Sequence, residues 1–382
     1  MLKFLKRIFL GLIGLVVLIV IGLYITGNGY IVKGVRVVYM TGHTSAFIDD
    51  YAYFENVEIK ASGQPQPWEE HQDYNKTPAT DRLQAIHSEL GTVAFLIIKN
   101  DSIWHEYYSD GYGTDSRSNS FSMAKSVISA MLGRALVDGS IQSLDQPVSD
   151  FIPRYEGAAT TVGDLSSMAS GLDWTEHYTS PFSITARAYY DDDLGSTILG
   201  QGITGTPAKE FEYLSGNTQL LAMVLEAATG KPLEQYLSEN FWKPMGFEHP
   251  ALWQVDDAEN QLPKAYCCIA SNARDFARFG KLYKDWGQWN GKTILDSTFV
   301  AKSIVPRFPE SPEYGYGFWL SDHMFKQIFV MRGILGQYVI TIPKDDVIIV
   351  RLGHQRGGRS GRPFSDDFYV YLEEAYQMME GS

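Results

Sequence analysis

Ser122-Met123-Ala124-Lys125 sets a hydroxyl and an amine three residues apart. On a helix that spacing puts both side chains on one face, one turn from each other. A serine oxygen attacks a carbonyl once its proton is removed, and a neutral amine can remove it. The segment from Ser122 to Val137 is almost wholly apolar, and Lys125 is the only charge in its first three turns. An ammonium there is costly, so desolvation lowers the lysine pKa towards a value at which it accepts the serine proton. Ser122 also opens the helix, where free N–H groups and the dipole favour negative charge on an attacking oxygen. The same residues have a purely structural interpretation: a serine N-cap and a lysine that snorkels to solvent. S-x-x-K is short, and roughly one match is expected by chance in such a chain. The tetrad therefore needs support from its surroundings.

Those surroundings must position the pair. A helix apolar on nearly all sides belongs in the middle of a domain. Before it, a helix is expected over residues 81–90, then two alternating runs, 92–99 and 102–109, joined at Asn100-Asp101 as a hairpin. After it come helices and loops, including 216–229 and 271–285. Strands return over 314–321, 325–332, 337–342 and 347–352, and a helix over 366–379 closes the chain. Short connections such as Pro343-Lys344-Asp345-Asp346 imply antiparallel neighbours. Strands near both ends with helices between predict one antiparallel sheet with an inserted helical lobe, an α+β fold. The cleft between sheet and lobe is where a site is expected.

Phe211-Glu212-Tyr213-Leu214-Ser215-Gly216-Asn217 precedes a second apolar helix. Together with S-x-x-K, this segment resembles the serine β-lactamase and penicillin-binding superfamily, whose second motif is Y-x-N or Y-x-S. The resemblance makes Tyr213 the motif tyrosine and Ser215 its third position. A tyrosine hydroxyl beside an ammonium can relay a proton to a leaving group. The third motif of that superfamily is K-T-G on an edge strand. Here the matching strand reads Met331-Arg332-Gly333-Ile334-Leu335-Gly336-Gln337, so only Gly333 holds. The missing lysine and threonine help to bind the carboxylate of β-lactams and peptide stems, which makes those substrates less favoured. Gly333 still allows close backbone approach, and by resemblance the N–H groups of Ile334 and Ser122 form the oxyanion hole.

Over residues 80–380 the chain is most similar to one branch, the 6-aminohexanoate-dimer (nylon-oligomer) hydrolases and their esterase-like relatives. That branch places a further tyrosine on the reacting amide, matched here by Tyr178. Asp191, Asp192 or Asp193 could meet a substrate amine, although three consecutive aspartates more often make a solvated loop. The resemblance implies a β-lactamase-like domain over residues 81–382, with helices from both ends of the domain flanking the sheet. It also implies an acyl-enzyme on Ser122, Lys125 as base, Tyr213 as relay, and a small amide or ester as substrate. Two alternatives stay open: a β-lactamase or D-peptidase, and a non-catalytic envelope protein that binds a cell-wall fragment.

Other classes have less support. A net charge of −13 argues against nucleic acid as a partner. The eight histidines show no metal-ligand spacing, and no cofactor or metal is expected. Neither a G-x-S-x-G elbow nor a P-loop occurs. Cys267 and Cys268 are neighbours, and the expectation is two small buried apolar residues without a disulfide.

The N-terminus is legible in its own right. Lys3, Lys6 and Arg7 precede an uncharged apolar run over residues 8–26. At 1.5 Å per residue that run makes about 28 Å of helix, enough to cross a membrane core. It lacks the small residues of a cleavage site, so the expectation is an uncleaved signal anchor, with residues 1–7 in the cytoplasm. Everything after the span then lies on the extracytoplasmic side. Residues 27–80, rich in Gly, Pro and aromatics, read as a linker approaching the domain and not as folded core.

Overall fold

The computed structural model describes residues 1–381. In chain order, α1 (Leu2–Ile25) and α2 (Tyr30–Val38) precede β1 (Asn56–Ile59) and the two-residue β2 (Glu69–Glu70). Then come α3 (Asp81–Glu89), β3 (Thr92–Lys99), β4 (Ser102–Tyr108), β5 (Ser118–Asn119) and α4 (Met123–Asp138). The helical lobe holds α5 (Val162–Ser166), α6 (Ile184–Tyr190), α7 (Leu194–Leu199), α8 (Ser215–Thr229) and α9 (Leu233–Leu237). It is followed by β6 (Ala251–Gln254), β7 (Ile269–Ser271), α10 (Ala273–Lys284), the small hairpin β8 (Gln288–Trp289) and β9 (Lys292–Thr293), and α11 (Ser297–Ser303). The chain closes with β10 (Trp319–Ser321), β11 (Ile328–Gly333), β12 (Gln337–Ile342), β13 (Val347–Gly353) and α12 (Asp366–Glu380).

The main sheet has seven strands in the order β10-β11-β12-β13-β3-β4-β2, all antiparallel except the short β2 beside β4. Strands from both ends of the chain meet where β13 pairs with β3, from Val347↔Lys99 to Gly353↔Thr92. Asn100 and Asp101 both take positive φ, the pair of left-handed residues that a tight two-residue hairpin demands. Alternate residues of β3 serve two cores, because side chains switch faces at every position. Phe95 and Ile97 join α3 and α12 on one face; Ala94, Leu96 and Ile98 join α4 and α10 on the other. Burial on both faces is why these strands read as unbroken apolar runs.

α4 runs through the larger core with twelve buried residues. Its buried hydroxyls are satisfied: Ser126 donates to the Gly317 carbonyl at 2.5 Å and Ser129 to that of Tyr316 at 2.8 Å. Truncating Ile128 or Leu132 to Ala in so tight a setting costs about 2–5 kcal/mol.

Three expectations need correction. One sheet was expected, but β1, β6, β7 and β5 form a second, four-stranded sheet. Its strands are too short, at two to four residues, to show alternation. Residues 27–80 are not a loose linker either. β1 pairs with β6 from Asn56↔Gln254 to Ile59↔Ala251, and Tyr30, Val37, Ile48 and Ile59 are buried. These apolar residues enter the core in ones and twos, as at Val37-Val38 and Phe47-Ile48, so no sustained period betrays them. Finally, the structure joins Cys267 and Cys268 as a disulfide between neighbours. Both are buried, and Cys268 has φ of +78°.

The described helix α1 starts earlier than the apolar run, at Leu2, and none of its residues is buried. Its 24 residues are long and apolar enough to cross a membrane. Such a helix is either a leader or an anchor, so the chain is secreted or membrane-bound.

Candidate active site

The turn before α4 sets the site. β5 pairs with β7, and the Ser120 N–H continues the pairing to the Ile269 carbonyl at 2.8 Å. Phe121 then takes φ of +45°, rare for a bulky residue, and its N–H donates to Asn119 Oδ1 at 3.0 Å. This turn delivers Ser122 to the N-cap position of α4, where its side chain makes no capping bond. The hydroxyl is thereby left for other partners.

Lys125, one turn on, is 3% exposed. Its Nζ donates to Ser122 Oγ at 3.1 Å and to the Tyr266 carbonyl at 2.8 Å. The amine also lies 5.0 Å from the Tyr213 ring centre and 5.5 Å from that of Tyr266. Burial pulls its pKa down to about 8, opposed by the charge of Glu176. No ion pair within 4.0 Å involves Lys125 among the described residues. Sequence spacing predicted the geometry of Ser122 and Lys125, and the structure brings them together.

Tyr213 joins them from the segment before α8. Burial raises the pKa of its hydroxyl, with Ser122 acting in the opposite direction, so it stays protonated at neutral pH. The Tyr213 ring leans on Trp319 at 5.2 Å between centres. The third strand segment also arrives. A Cβ on Gly333 would come within 2.3 Å of the Ser120 carbonyl oxygen, so only glycine lets β11 approach the turn this closely. Past it, Leu335 takes φ of +65°, and the Arg351 guanidinium holds the Leu335 and Gly336 carbonyls at 2.7 and 3.0 Å. Ile334 follows Gly333 directly in the chain.

The remaining candidates are placed differently. Ser215 N–H and Oγ both donate to Glu176, each at 2.7 Å. The Tyr178 hydroxyl donates to the same carboxylate, as does Trp174 Nε1 at 2.9 Å. Tyr178 and Ser215 are thus tied to each other through Glu176, with the Tyr178 ring largely exposed. Asp191 is not brought to this group: it pairs with Arg187 at 2.8 Å, beside the Gly27 carbonyl that Arg187 also binds. Asp192 pairs with Lys33 at 2.5 Å, and Asp193 caps α7 through the Ser196 N–H at 2.9 Å. All three aspartates have structural partners, so the expectation of an amine-binding Asp191 has no support here.

Two groups were missed. Glu176 gathers four donors, yet in sequence it is one acid among 45 acidic residues. The Tyr266 carbonyl that holds Lys125 is a backbone atom, and backbone atoms leave no trace in residue type.

The beta-lactamase family matches residues 79–369 of this chain. The 6-aminohexanoate-dimer hydrolase of Paenarthrobacter ureafaciens is 27% identical over 294 residues, covering 69% of this chain and 73% of the relative. A provisionally named penicillin-binding protein, PbpX, of Bacillus subtilis is 26% identical over 282 residues, covering 66% and 69%. Among solved structures, a provisionally assigned 6-aminohexanoate-dimer hydrolase from Bacillus anthracis superposes with a TM-score of 0.74 at 21% identity, covering 90% of this chain and 92% of that one. The family match takes in most of the chain, and so the chain belongs to the beta-lactamase family.

Proposed function

We propose that this protein is a serine hydrolase that cleaves a small amide or ester through an acyl-enzyme on Ser122. The observation that carries the reading is the position of Lys125 Nζ, 3.1 Å from Ser122 Oγ and fixed by the Tyr266 carbonyl. Neutral Lys125 takes the Ser122 proton as Oγ bonds to the substrate carbonyl carbon. The oxyanion so formed is held by the Ser122 and Ile334 amides. Among the described residues neither amide donates to a side chain or to a carbonyl outside the regular elements. Tyr213 gives its hydroxyl proton to the departing amine or alkoxide as the carbon–heteroatom bond breaks and regains one from the incoming water, while the Lys125 ammonium keeps the serine proton to return it to Ser122 Oγ. Water adds to the acyl-enzyme, and Ser122 leaves with its proton restored. Tyr178 and Ser215, joined by Glu176, line the approach from the helical lobe.

The missing K-T-G side chains favour a short amide or ester over a β-lactam or a peptide stem. The name of the Paenarthrobacter relative points to amide chemistry as well. α1 serves as an uncleaved anchor in this reading and holds the hydrolase on the extracytoplasmic face. A substrate panel on the detergent-solubilised protein tests the assignment. Turnover of p-nitrophenyl butyrate and of short amides is expected, with none of nitrocefin. Nitrocefin turnover alone would move the assignment to a β-lactamase, and an inert protein would favour a binding role.

A further inference from the structure

Asp50 lies in a single tight turn, Asp50–Tyr53, within the segment expected to be a linker. It is fully buried, and no step of the mechanism above uses it. Its carboxylate accepts three neutral donors: Asn119 Nδ2 at 2.9 Å, Gln254 Nε2 at 3.0 Å and the Tyr189 hydroxyl at 2.6 Å. Burying a carboxylate this way is costly, so its partners deserve a reason. They come from β5, β6 and α6, and β5 leads directly into the nucleophile turn.

The Asn119 amide connects Asp50 to the nucleophile turn. Its Nδ2 faces Asp50, which leaves Oδ1 for the Phe121 N–H at 3.0 Å. Phe121 is the residue with φ of +45° directly before Ser122. The Asn119 backbone N–H is also held from the same segment, by the Ile48 carbonyl at 2.7 Å. On the other side, the Gln254 carbonyl accepts from the Lys264 N–H at 2.9 Å. That loop runs on to Tyr266, whose carbonyl fixes Lys125.

We propose that Asp50 is a positioning residue for the Ser122–Lys125 pair, acting through Asn119 on the Phe121 turn. The inference rests on Ser122 as nucleophile. A carboxylate can only accept, so it admits one orientation of the Asn119 amide. An asparagine at position 50 offers a donor too, and Asn119 can then turn round. Its NH2 would face the Phe121 N–H, donor against donor, and the strained turn would lose its hold.

The test uses the full chain in detergent, with p-nitrophenyl butyrate kinetics, fluorophosphonate labelling rates and thermal melting. The variants are Asp50→Asn, Asn119→Ala, the double variant, Ser122→Ala and Glu374→Gln. Glu374 is a buried carboxylate on the opposite face of the main sheet, held by Thr80 at 2.5 Å and Arg82 at 2.9 Å. Asp50→Asn and Asn119→Ala should each lower kcat about 10–100-fold with KM little changed, as a small misplacement of a nucleophile does. The double variant should be no slower than the slower single variant, because both break one link. Glu374→Gln should keep the parent kcat. If Asp50→Asn does not fold, Asn119→Ala decides alone, since it leaves the buried carboxylate in place. Parent kcat in a folded single variant, additive losses in the double, or an equal loss in Glu374→Gln would overturn the proposal. Turnover surviving in Ser122→Ala would instead remove the nucleophile assignment on which it rests.

Discussion

Two lysines are buried among the described residues, and they stand in similar surroundings. Lys125 donates to the Tyr266 carbonyl and lies over the Tyr213 ring; Lys264 donates to the Tyr189 carbonyl at 2.6 Å and lies 4.0 Å over the Phe54 ring. Burial pulls both amines down, Lys125 to about 8 and Lys264 to about 7, the latter helped by repulsion from Lys33. The difference is the third neighbour. Lys125 has the Ser122 hydroxyl at 3.1 Å, whereas Lys264 meets the fields of Asp50, Asp256 and Asp192. A depressed amine pKa thus marks a buried lysine and not a base; a reachable hydroxyl at a helix N-terminus makes the base.

The largest contrast should come from deleting each amine. Lys125→Met should lower kcat/KM for p-nitrophenyl butyrate by about 10²–10⁴-fold, the range of general base catalysis. Lys264→Met should cost less than about tenfold and show itself in the thermal midpoint instead, at about 1–2 °C per kcal/mol lost for a domain of this size. Equal kinetic losses would erase the distinction between the two neighbourhoods.

Next in size is the ring above each amine. Tyr213→Phe keeps the aromatic face over Lys125 but removes the hydroxyl, as at Phe54 over Lys264. A loss of about 10²-fold or more is expected in kcat, measured with an amide, whose amine leaving group needs a proton. Parent activity in Tyr213→Phe would leave Tyr213 a structural ring only.

The pH profile sharpens the same contrast. In the proposed mechanism Lys125 accepts the proton only when neutral, and its ammonium dominates below about 8. Hence kcat/KM should rise about tenfold per pH unit up to about 8 and level off above it. Lys264→Met should keep that inflection. If the limb disappears with Lys264, the titrating base is the wrong lysine.

The smallest effect concerns Glu176, whose charge raises the Lys125 pKa. Glu176→Gln should move the acid limb to lower pH by a fraction of a unit. It should also destabilise by about 1–3 kcal/mol, because the amide cannot accept all the donors that the carboxylate holds. A limb that moves to higher pH would contradict the placement of Glu176.

How much of this was legible follows from range. Ser122 and Lys125 are one helical turn apart, so their geometry is local and could be read from spacing. Tyr213 and Gly333 needed the order of motifs, because 90 or more residues separate them from the serine. The α4 helix and the central strands announced themselves by apolar runs. The second sheet did not, since β5 and β7 are only two and three residues long. Residues 30–59 were misjudged for a related reason: their buried residues come in ones and twos, such as Phe47-Ile48 and Ile59, and Asp50 looks like any surface acid. Backbone partners such as the Tyr266 carbonyl are outside what residue types can reveal. Asp191 erred the other way, since an acid near the right position found Arg187 and not the site.

In the proposed mechanism the Ser122 oxygen carries the acyl group and Lys125 activates it. Labelling the full chain with a fluorophosphonate probe, followed by mass-spectrometric location of the modified peptide, tests this most directly. A single modified residue, Ser122, is expected, with labelling abolished in Ser122→Ala and slowed severely in Lys125→Met but not in Lys264→Met. Modification of another serine, or labelling that persists in Ser122→Ala, would contradict it.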